Sequence, residues 1–469
     1  MPCGSLEKQN VECSMLGSSS ESVGEKVKTS RLEAVTMELS KNQSRGEHGM
    51  LVKSILNRVE KIPGFIFEEC GWNKEKTEIE IHLRARKNSR PRCSECGSIS
   101  VGYDRMAARR FAFVPLWQFP VTLVYSMRRV KCHRCGIRVE SVPWAEGKNR
   151  VCTSYQWFLA NWARRMSWSE VAKVFATTWG VVSRAVEQAV KWGREHVSLS
   201  GIKSIGVDEI LHRRGSKAHG GPKYLTLVYQ IDEERKRLLW IGKNRREETL
   251  QAFFNWFGQE LSEKLEVACS DMLPAYLKVI RLRAAKAIQI LDRFHIASMM
   301  NKGIDRIRAE EVRELKKKNG KPVLTNSRWL FLKREENLSE VQHEKLADLL
   351  RKNLRIVRAY LLKEGFQRFW DYVSPSHAGR FLDSWCTRAM RSRIDQMKKV
   401  AASLRKHRPL LLNWFKAKHI SAGAVEGLNN KAKVTMRKSY GFRSFRIAEL
   451  ALYHSLADLP QPEFTHTFW

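Results

Sequence analysis

The segment between residues 204 and 292 alternates short apolar runs with amphipathic stretches, and this pattern constrains the fold more than any other part of the chain. Short apolar runs are typical of strands, and longer stretches with a 3.6-residue period are typical of helices. The predicted order is three strands, a helix, a strand, a helix and a strand. These elements are Ser204–Leu211, Tyr224–Ile231, Leu238–Lys243, Thr249–Leu261, Leu265–Asp271, Pro274–Ala287 and Ile288–Asp292. This order is the one expected of a ribonuclease-H-like α/β sheet.

Two aspartates end apolar runs of this segment. Asp208 follows SIGV and Asp271 follows LEVACS, so the pattern places both carboxylates at strand ends. If the two strands are neighbours, the two carboxylates can share a metal ion. The alternative, for either residue taken alone, is an aspartate that caps the loop after a strand. Glu209 should point to the opposite face of the pleat, and we do not expect it to be a ligand.

A third acidic residue, Glu426, opens the helix-like stretch AVEGLNNKAKVTMRKSYGFR. Asn430, Lys433 and Arg437 follow on the same helical face, which places one carboxylate before a row of cations. Such a face suits a nuclease helix, and the alternative is a solvated charged face. Apolar residues on another side predict that the helix is docked; they are Val425, Leu428, Ala432 and Val434.

The sequence LDRFH places Asp292 and His295 at the end of the fifth predicted strand. These two residues could form an auxiliary site or a hydrogen-bonded pair that supports the site. For His295 taken alone, a structural role is favoured.

Two Cys-x-x-Cys pairs, each followed by glycine, precede the segment just described. They are Cys93 with Cys96, before Gly97, and Cys132 with Cys135, before Gly136. Glycine lets the knuckle backbone turn so that its amides point at thiolate sulfur, and two knuckles make a tetrahedral Zn²⁺ site. The gap between the pairs is longer than in most ribbons, but short strands such as FAFVPLWQF can close it as hairpins. The alternative is a set of buried, unmetallated thiols.

The chain carries 84 Lys and Arg against 49 Asp and Glu, a formal net charge of +35. This excess indicates a polyanionic partner, and nucleic acid is the leading candidate. A membrane surface is the rival, but no apolar run is long enough to span a bilayer and no signal pattern is present. We therefore expect a cytoplasmic, nucleoid-associated protein with reduced cysteines.

Residues 154–196 change to a helical period with a break at Thr177, Thr178 and Gly180, which predicts a helix-turn-helix. Its third helix offers four residues to DNA, namely Ser183, Arg184, Gln188 and Lys191, and turns four to a core, namely Val182, Ala185, Val186 and Ala189. A plain helical hairpin is the alternative. The expected fold class is a multidomain α+β protein. Its parts are a disordered tail (1–50), an N-terminal region with a zinc ribbon (51–145), the helix-turn-helix (150–198), the first part of the core (201–300), an all-helical insertion (301–418) and the final core helix (419–460).

These motifs together resemble the DDE insertion-sequence transposases of the zinc-ribbon ISL type. The resemblance runs from about residue 50 to 460 and is carried by the doubled Cys-x-x-Cys, the helix-turn-helix, VDE, CSDMLPAY, DRFH and the stretch around Glu426. It implies a bacterial mobile-element protein whose DDE acids are Asp208, Asp271 and Glu426. It also implies that the helix-turn-helix binds terminal inverted repeats.

We therefore predict a DNA transposase. Water attacks the phosphodiester at the element end, and the freed 3′-hydroxyl then attacks target DNA, in line between two Mg²⁺ or Mn²⁺ ions. Asp208 would bridge the metals, while Asp271 and Glu426 would hold one each. Phosphates would be clamped by Lys431, Lys433, Arg437 and Lys438. We expect a homo-oligomer on double-stranded DNA. The alternative is a non-catalytic DNA-binding regulator or decayed transposase, and a structure-selective nuclease is a third, weaker reading.

Overall fold

The computed structural model describes residues 52–59, 62–213, 223–317, 323–417, 423–439, 442 and 444–463. The predicted disordered tail, residues 1–50, lies outside these ranges. The chain divides into two compact units. The first comprises residues up to Arg110 together with Val121–Pro143, and the second comprises Phe111–Pro120 and the residues from Trp144 onward. The protein has mixed α+β structure with two five-stranded sheets and many helices.

The first sheet has the strand order β1-β2-β4-β3, with β5 paired to β4. Its elements are helix α1 (Val52–Val59) and strands β1 (Phe65–Trp72), β2 (Ile79–Ala85), β3 (Val101–Leu116), β4 (Phe119–Cys132) and β5 (Gly136–Val139). In β2, buried residues recur at alternate positions, so one face lies on the core and the other faces outward. Burial of apolar side chains on one face is what holds this small sheet together.

Between the two cysteine pairs the sequence predicts short strands, and this prediction is wrong in length. Strands β3 and β4 contain 16 and 14 residues. Only Trp117 and Gln118 separate them, and both have positive φ angles, 49° and 70°. Positive φ at both central residues is the geometry of a tight two-residue hairpin turn, so the strands continue without a break on either side.

Three helices open the second unit as predicted: α2 (Thr153–Arg165), α3 (Trp168–Val174) and α4 (Trp179–His196). Helix α3 begins with a capping box in which Ser167 and Glu170 satisfy each other's free backbone N–H groups. Helix α4 is capped by the Thr178 side chain, which accepts a hydrogen bond from the Val181 N–H. Short capped helices of this kind are stabilised at their ends by residues visible in the sequence.

The second sheet has the order β10-β9-β6-β7-β8. Strands β6, β7 and β8 are antiparallel neighbours, and β9 and β10 run parallel to β6. The strands are β6 (Ser204–Arg213), β7 (Lys223–Ile231), β8 (Lys236–Lys243), β9 (Val267–Ser270) and β10 (Ile288–Leu291), and the helices between them are α5 (Glu247–Phe257), α6 (Gln259–Glu263) and α7 (Pro274–Arg283). The predicted element order is therefore confirmed, apart from a break at Gly258 that divides the first helix in two. Gly258 has φ +87°, which ends a helix because other residues rarely adopt it.

Helices cover both faces of this sheet. On one face, Ile205 and Val207 pack into a cluster with Phe253, Tyr276 and Val279. On the other face lie α15 (Gly423–Lys438) and, against β8, α16 (Phe445–Leu456). A Cβ on Gly206 would lie 2.4 Å from a methyl group of Val425, so glycine is required for α15 to approach strand β6 this closely.

Between β10 and α15 the described residues are helical, as predicted for 301–418. The helices are α8 (Arg293–Lys317), α9 (Arg328–Leu332), α10 (Glu340–Leu350), α11 (Arg355–Gln367), α12 (Pro375–Arg391), α13 (Asp395–Lys406) and α14 (Arg408–Lys416). They enclose a core of their own around Trp385, Phe366 and Phe369. The helical region begins earlier than predicted, because α8 starts directly after Asp292.

Candidate active site

Strand register brings three aspartates to one edge of the second sheet. Val207 pairs with Ser270, and Ser270 pairs with Leu291, so these residues form one row across β6, β9 and β10. An aspartate follows each of these three residues in the sequence: Asp208, Asp271 and Asp292. Parallel strands point the same way, so the three carboxylates leave the sheet at the same level.

Asp208 is not at a strand end as the sequence predicts, because β6 continues to Arg213. The antiparallel partner β7 pairs with β6 beyond Asp208, while the parallel neighbour β9 stops at Ser270. The residue therefore lies within a strand but at the point where its parallel neighbours end. An apolar run cannot reveal this, because strand length here is decided by the partner on the other side.

Burial and mutual repulsion perturb these carboxyl groups. Burial, with the nearby charges of Asp292 and Asp271, raises the pKa of Asp208 to about 6. Burial also raises the pKa of Asp271, although the Leu273 N–H, at 2.9 Å from its Oδ1, acts in the opposite direction. Closely spaced buried carboxylates of this kind attract a cation.

Asp292 and His295 form the hydrogen-bonded pair that the sequence left open. His295 Nδ1 lies 3.0 Å from Asp292 Oδ2, and its Nε2 lies 3.8 Å from Asp208 Oδ1. The hydrogen bond with Asp292 is the main cause that raises the pKa of His295 to about 9, so the ring is charged at neutral pH. One potential ligand atom from each of the three residues lies within 4.8 Å of the others.

Glu426 lies in the first turn of α15. Burial and the charge of Asp292 raise its pKa, and Lys433 acts in the opposite direction. Among the described residues, the cluster of mutually close ligand atoms contains Asp208, Asp292 and His295, and neither Asp271 nor Glu426. The Leu273 N–H holds one oxygen of Asp271.

Asn429 is a site residue that sequence reasoning missed. Its Nδ2 donates a hydrogen bond to Asp208 Oδ2, and its Oδ1 accepts one from the Tyr229 hydroxyl at 2.6 Å. The signal was present, since Asn429 falls in the buried stripe of α15, which comprises Val425, Leu428, Asn429, Ala432 and Met436. A polar residue within such a stripe needs a buried partner. Val434, predicted on this packing side, is instead 60% exposed.

Glu209 lies on the opposite face of the pleat from Asp208, as predicted. Its carboxylate accepts a hydrogen bond from Arg245 at 2.9 Å. Asp208 instead contacts α15, on the other side of the sheet.

The four predicted zinc ligands lie together in the first unit and form a four-cysteine cluster. One sulfur each from Cys93, Cys96, Cys132 and Cys135 lies within 4.8 Å of the others. The separation between Cys96 and Cys132 is 3.6 Å, close to the S–S edge of about 3.8 Å in a tetrahedron with Zn–S bonds of about 2.3 Å. The hydroxyl of Ser98 is the main cause that lowers the pKa of Cys132 to about 5, which favours the thiolate form that binds metal. The donor set therefore fits Zn²⁺.

The glycines after each pair have positive φ angles, +70° at Gly97 and +74° at Gly136. Both knuckles therefore turn as the sequence predicts.

The predicted DNA-contacting residues lie mostly at the surface of the second unit. Arg184 and Lys191 are exposed on α4 and Gln188 is half-buried, but Ser183, predicted on the same face, is buried. The four predicted core positions of α4 are all buried. Exposed cations on α15 are Lys431, Lys433 and Arg437.

Lys438, the last predicted cation of α15, is partly buried. Its Nζ donates a hydrogen bond to the Arg164 carbonyl at 3.1 Å, and burial lowers its pKa. It therefore joins α15 to α2.

Within the described ranges, none of the helices combines the length and the apolar character needed to cross a bilayer.

Comparison with known proteins gives one consistent family. The sequence model of the ISL3 family, described as "Transposase", matches residues 205–451. The transposase for insertion sequence element IS1001 of Bordetella parapertussis is 26% identical over 399 residues, which cover 84% of this chain and 96% of that protein. The transposase for insertion sequence element IS1557 of Mycobacterium tuberculosis is 26% identical over 400 residues, which cover 78% of this chain and 86% of that protein. Because the family match covers more than half of the chain and includes both ends of the acidic site, this protein belongs to the ISL3 family of insertion-sequence transposases.

Proposed function

We propose that this transposase is a DDE-type enzyme that cleaves DNA at the terminal inverted repeats of its element and joins the freed ends to target DNA. The observation that carries the proposal is the row of aspartates across β6, β9 and β10, together with Glu426 of α15, whose pKa is raised by burial and by the charge of Asp292. A few carboxylates converging from distant segments are what metal-dependent phosphoryl transfer on DNA requires.

The strand order supports a ribonuclease-H-like core interrupted by the helices from α8 to α14. Three antiparallel strands followed by two parallel ones is the arrangement that this fold requires. The three helices α2 to α4 would be the helix-turn-helix, with Arg184, Gln188 and Lys191 facing the terminal repeat. The four-cysteine cluster would be a zinc ribbon.

Carboxylate oxygens are the ligands that Mg²⁺ prefers, so the acidic site fits this ion. Asp208 would hold both ions, and Asp271 and Glu426 would hold one each. When bound, Mg²⁺ stabilises the charge that develops on the attacked phosphate and activates the attacking oxygen. The Asp292–His295 pair borders Asp208 and would keep its carboxylate in place.

The exposed cations of α15 would bind the DNA backbone beside these acids. The three cations Lys431, Lys433 and Arg437 lie on the same helix as Glu426, so phosphates bound there would lie close to the acidic site. Lys438 already bonds the Arg164 carbonyl, and its contribution would be smaller. Several protomers would assemble on the two element ends.

The test is DNA cleavage and strand transfer with purified full-length protein and element-end DNA. Asp208→Asn, Asp271→Asn and Glu426→Gln each keep the side-chain size and remove the charge that a divalent cation needs. Each variant should lower the rate by about 10³-fold or more, and the triple variant should be no worse, because residues that act as a unit are not additive. Binding to end DNA should stay near the wild-type level.

Glu209→Gln is the matched control, since it changes the neighbouring carboxylate on the opposite face. It should leave cleavage within a few-fold of wild type. Wild-type cleavage by Glu426→Gln would remove Glu426 from the proposal and leave α15 as a DNA clamp. Cleavage without strand transfer by the wild-type protein would instead favour a nuclease, and binding without cleavage would favour a regulator.

A further inference from the structure

A buried chain of hydrogen bonds links strand β7 of the second sheet to Asp208 on strand β6. The Tyr229 hydroxyl donates to Asn429 Oδ1 at 2.6 Å, and Asn429 Nδ2 donates to Asp208 Oδ2. Tyr229 is 0% exposed, Asn429 3% and Asp208 7%. The three residues come from β7, α15 and β6, and more than 200 positions separate Asn429 from Asp208.

These two hydrogen bonds determine the orientation of the Asn429 amide. A tyrosine hydroxyl that donates its hydrogen must meet an oxygen, so the Asn429 carbonyl faces Tyr229 and its NH₂ group faces Asp208. Asp208 is an acceptor when ionised, and its other oxygen, Oδ1, already accepts from the Glu209 N–H at 2.7 Å. Each oxygen of the carboxylate is therefore held by a different donor, and the plane of the group is set.

The hydrogen bonds of Asn429 lie at the interface where α15 packs closely against the second sheet. Tyr229 is the direct cross-strand partner of Gly206. Gly206 is the residue that lets Val425 approach β6, and Val425 precedes Glu426. The same contact therefore brings Asn429 and Glu426 of α15 to the sheet beside Tyr229.

We propose that Asn429 and Tyr229 are positioning residues. They orient the Asp208 carboxylate for a divalent metal ion, and they fix the position of α15, which carries Glu426, relative to that carboxylate. This inference rests on the proposed function, because it assigns a role to residues that touch a proposed ligand. Residues that hold metal ligands from outside commonly change metal affinity or activity by about 10- to 100-fold when they are removed. A purely packing role would not require polar atoms, which are costly to bury unless each is satisfied.

The experiment measures binding of Mn²⁺ alone to full-length protein, by the loss of the free-ion signal in electron paramagnetic resonance. Asn429→Ala should weaken binding at the acidic site by about 10- to 100-fold. Tyr229→Phe removes only a hydroxyl and keeps the ring, so it should fold normally and weaken binding less, by about 3- to 10-fold. Val434→Ala, at an exposed position of the same helix, is the control and should bind as wild type does.

The double variant separates a relay from two independent packing effects. If the effect of Tyr229 on Asp208 passes through the hydrogen bond to Asn429, Asn429→Ala with Tyr229→Phe should bind no more weakly than Asn429→Ala alone. Effects that multiply would overturn the relay, and so would wild-type Mn²⁺ affinity in both single variants. If Asn429→Ala does not fold, Tyr229→Phe decides: wild-type affinity there overturns the proposal.

Asp208→Asn distinguishes failure of this inference from failure of the proposed function. Loss of Mn²⁺ binding in Asp208→Asn, with wild-type affinity in Asn429→Ala and Tyr229→Phe, would leave the metal site in place and remove the positioning role. Wild-type Mn²⁺ binding by Asp208→Asn would overturn the metal assignment of the proposed function itself.

Discussion

The four-cysteine cluster and the acidic site differ in how far apart their residues lie along the chain. The cluster is built from two short knuckles, one before and one after a single hairpin, and each knuckle carries its own turn-forming glycine. The acidic site combines Asp208 of β6, Asp271 and Asp292, which directly follow β9 and β10, and Glu426 of α15. Asn429, which donates a hydrogen bond to Asp208, is marked in the sequence only as a polar residue within a buried stripe, and the sequence does not name its partner. A site made of local turns is encoded by spacing, whereas a site made by strand register is encoded by the whole sheet.

A second difference is electrostatic. The acidic site contains buried like charges, and burial is the main cause of the raised pKa of Asp208 and of Asp271. In the four-cysteine cluster, hydrogen bonds from Ser98 are the main cause of the lowered pKa of Cys132. Burial therefore opposes the charged form of the two aspartates, whereas the shifts within the cluster are divided: the pKa of Cys132 is lowered, and the hydrogen bond with Cys96 is the main cause that raises the pKa of Cys135 to about 12.

The largest effect is expected from removing two ligands of the four-cysteine cluster. Cys93→Ser with Cys96→Ser removes one complete knuckle, so bound zinc should fall from about one ion per chain to none. DNA binding should weaken, because structural zinc contributes folding free energy to the part that holds it. Metal analysis of freshly purified protein measures the first effect and a DNA-binding titration the second.

Cys70→Ser is the control, since Cys70 lies in the same unit but outside the cluster. It should retain zinc. Unchanged zinc content in the double variant would contradict the site.

A medium effect is expected from the basic surface beside the acidic site. Each phosphate neutralised by Lys or Arg releases counterions, so DNA affinity should fall steeply with salt. Lys433→Glu with Arg437→Glu should lower the slope of log affinity against log salt by about two. Salt titrations with end DNA measure it, and Lys264→Glu, at an exposed cation directly after α6, should leave the slope unchanged. The same slope in wild type, in the Lys433→Glu with Arg437→Glu variant and in Lys264→Glu would mean that α15 does not contact the DNA backbone.

The smallest effect is the pH dependence of the acidic site. The folded-state pKa of His295 is about 9, above its usual 6.5, so its contribution to stability is present below pH 6.5 and is lost as the pH rises through 9. The side chain is 36% exposed, so solvent screening reduces this contribution to about 1 kcal/mol. Urea unfolding between pH 6.5 and 9, without added divalent metal, should show the loss in wild type and a smaller one in His295→Gln.

His82→Gln, in the first unit, is the control and should follow wild type. Parallel curves for wild type and His295→Gln would mean that the histidine does not support the aspartates through its charge.

Much of the fold could be predicted because its signals are local. The strand and helix order from Ser204 to Asp292 follows from hydrophobic period, and the buried face of α4 follows from the same rule. The errors have tertiary causes. Strands β3 and β4 are long because a tight turn at Trp117 and Gln118 leaves them uninterrupted, and Ser183 and Val434 are misplaced because helix period alone does not say which neighbouring element covers a face.

The order of strands and helices from Ser204 to Asp292 and the two cysteine knuckles can be predicted from the sequence alone, because periodicity and glycine position act over a few neighbouring positions. Other features appear only in the folded protein. Asp208, Asp271 and Asp292 share one row, His295 lies 3.8 Å from Asp208, and Asn429 bonds both Asp208 and Tyr229. These features depend on strand register and on the docking of α15, which are set by contacts between segments far apart in the chain; Tyr229 and Asn429, for example, are 200 positions apart. No short window of sequence contains both sides of such a contact.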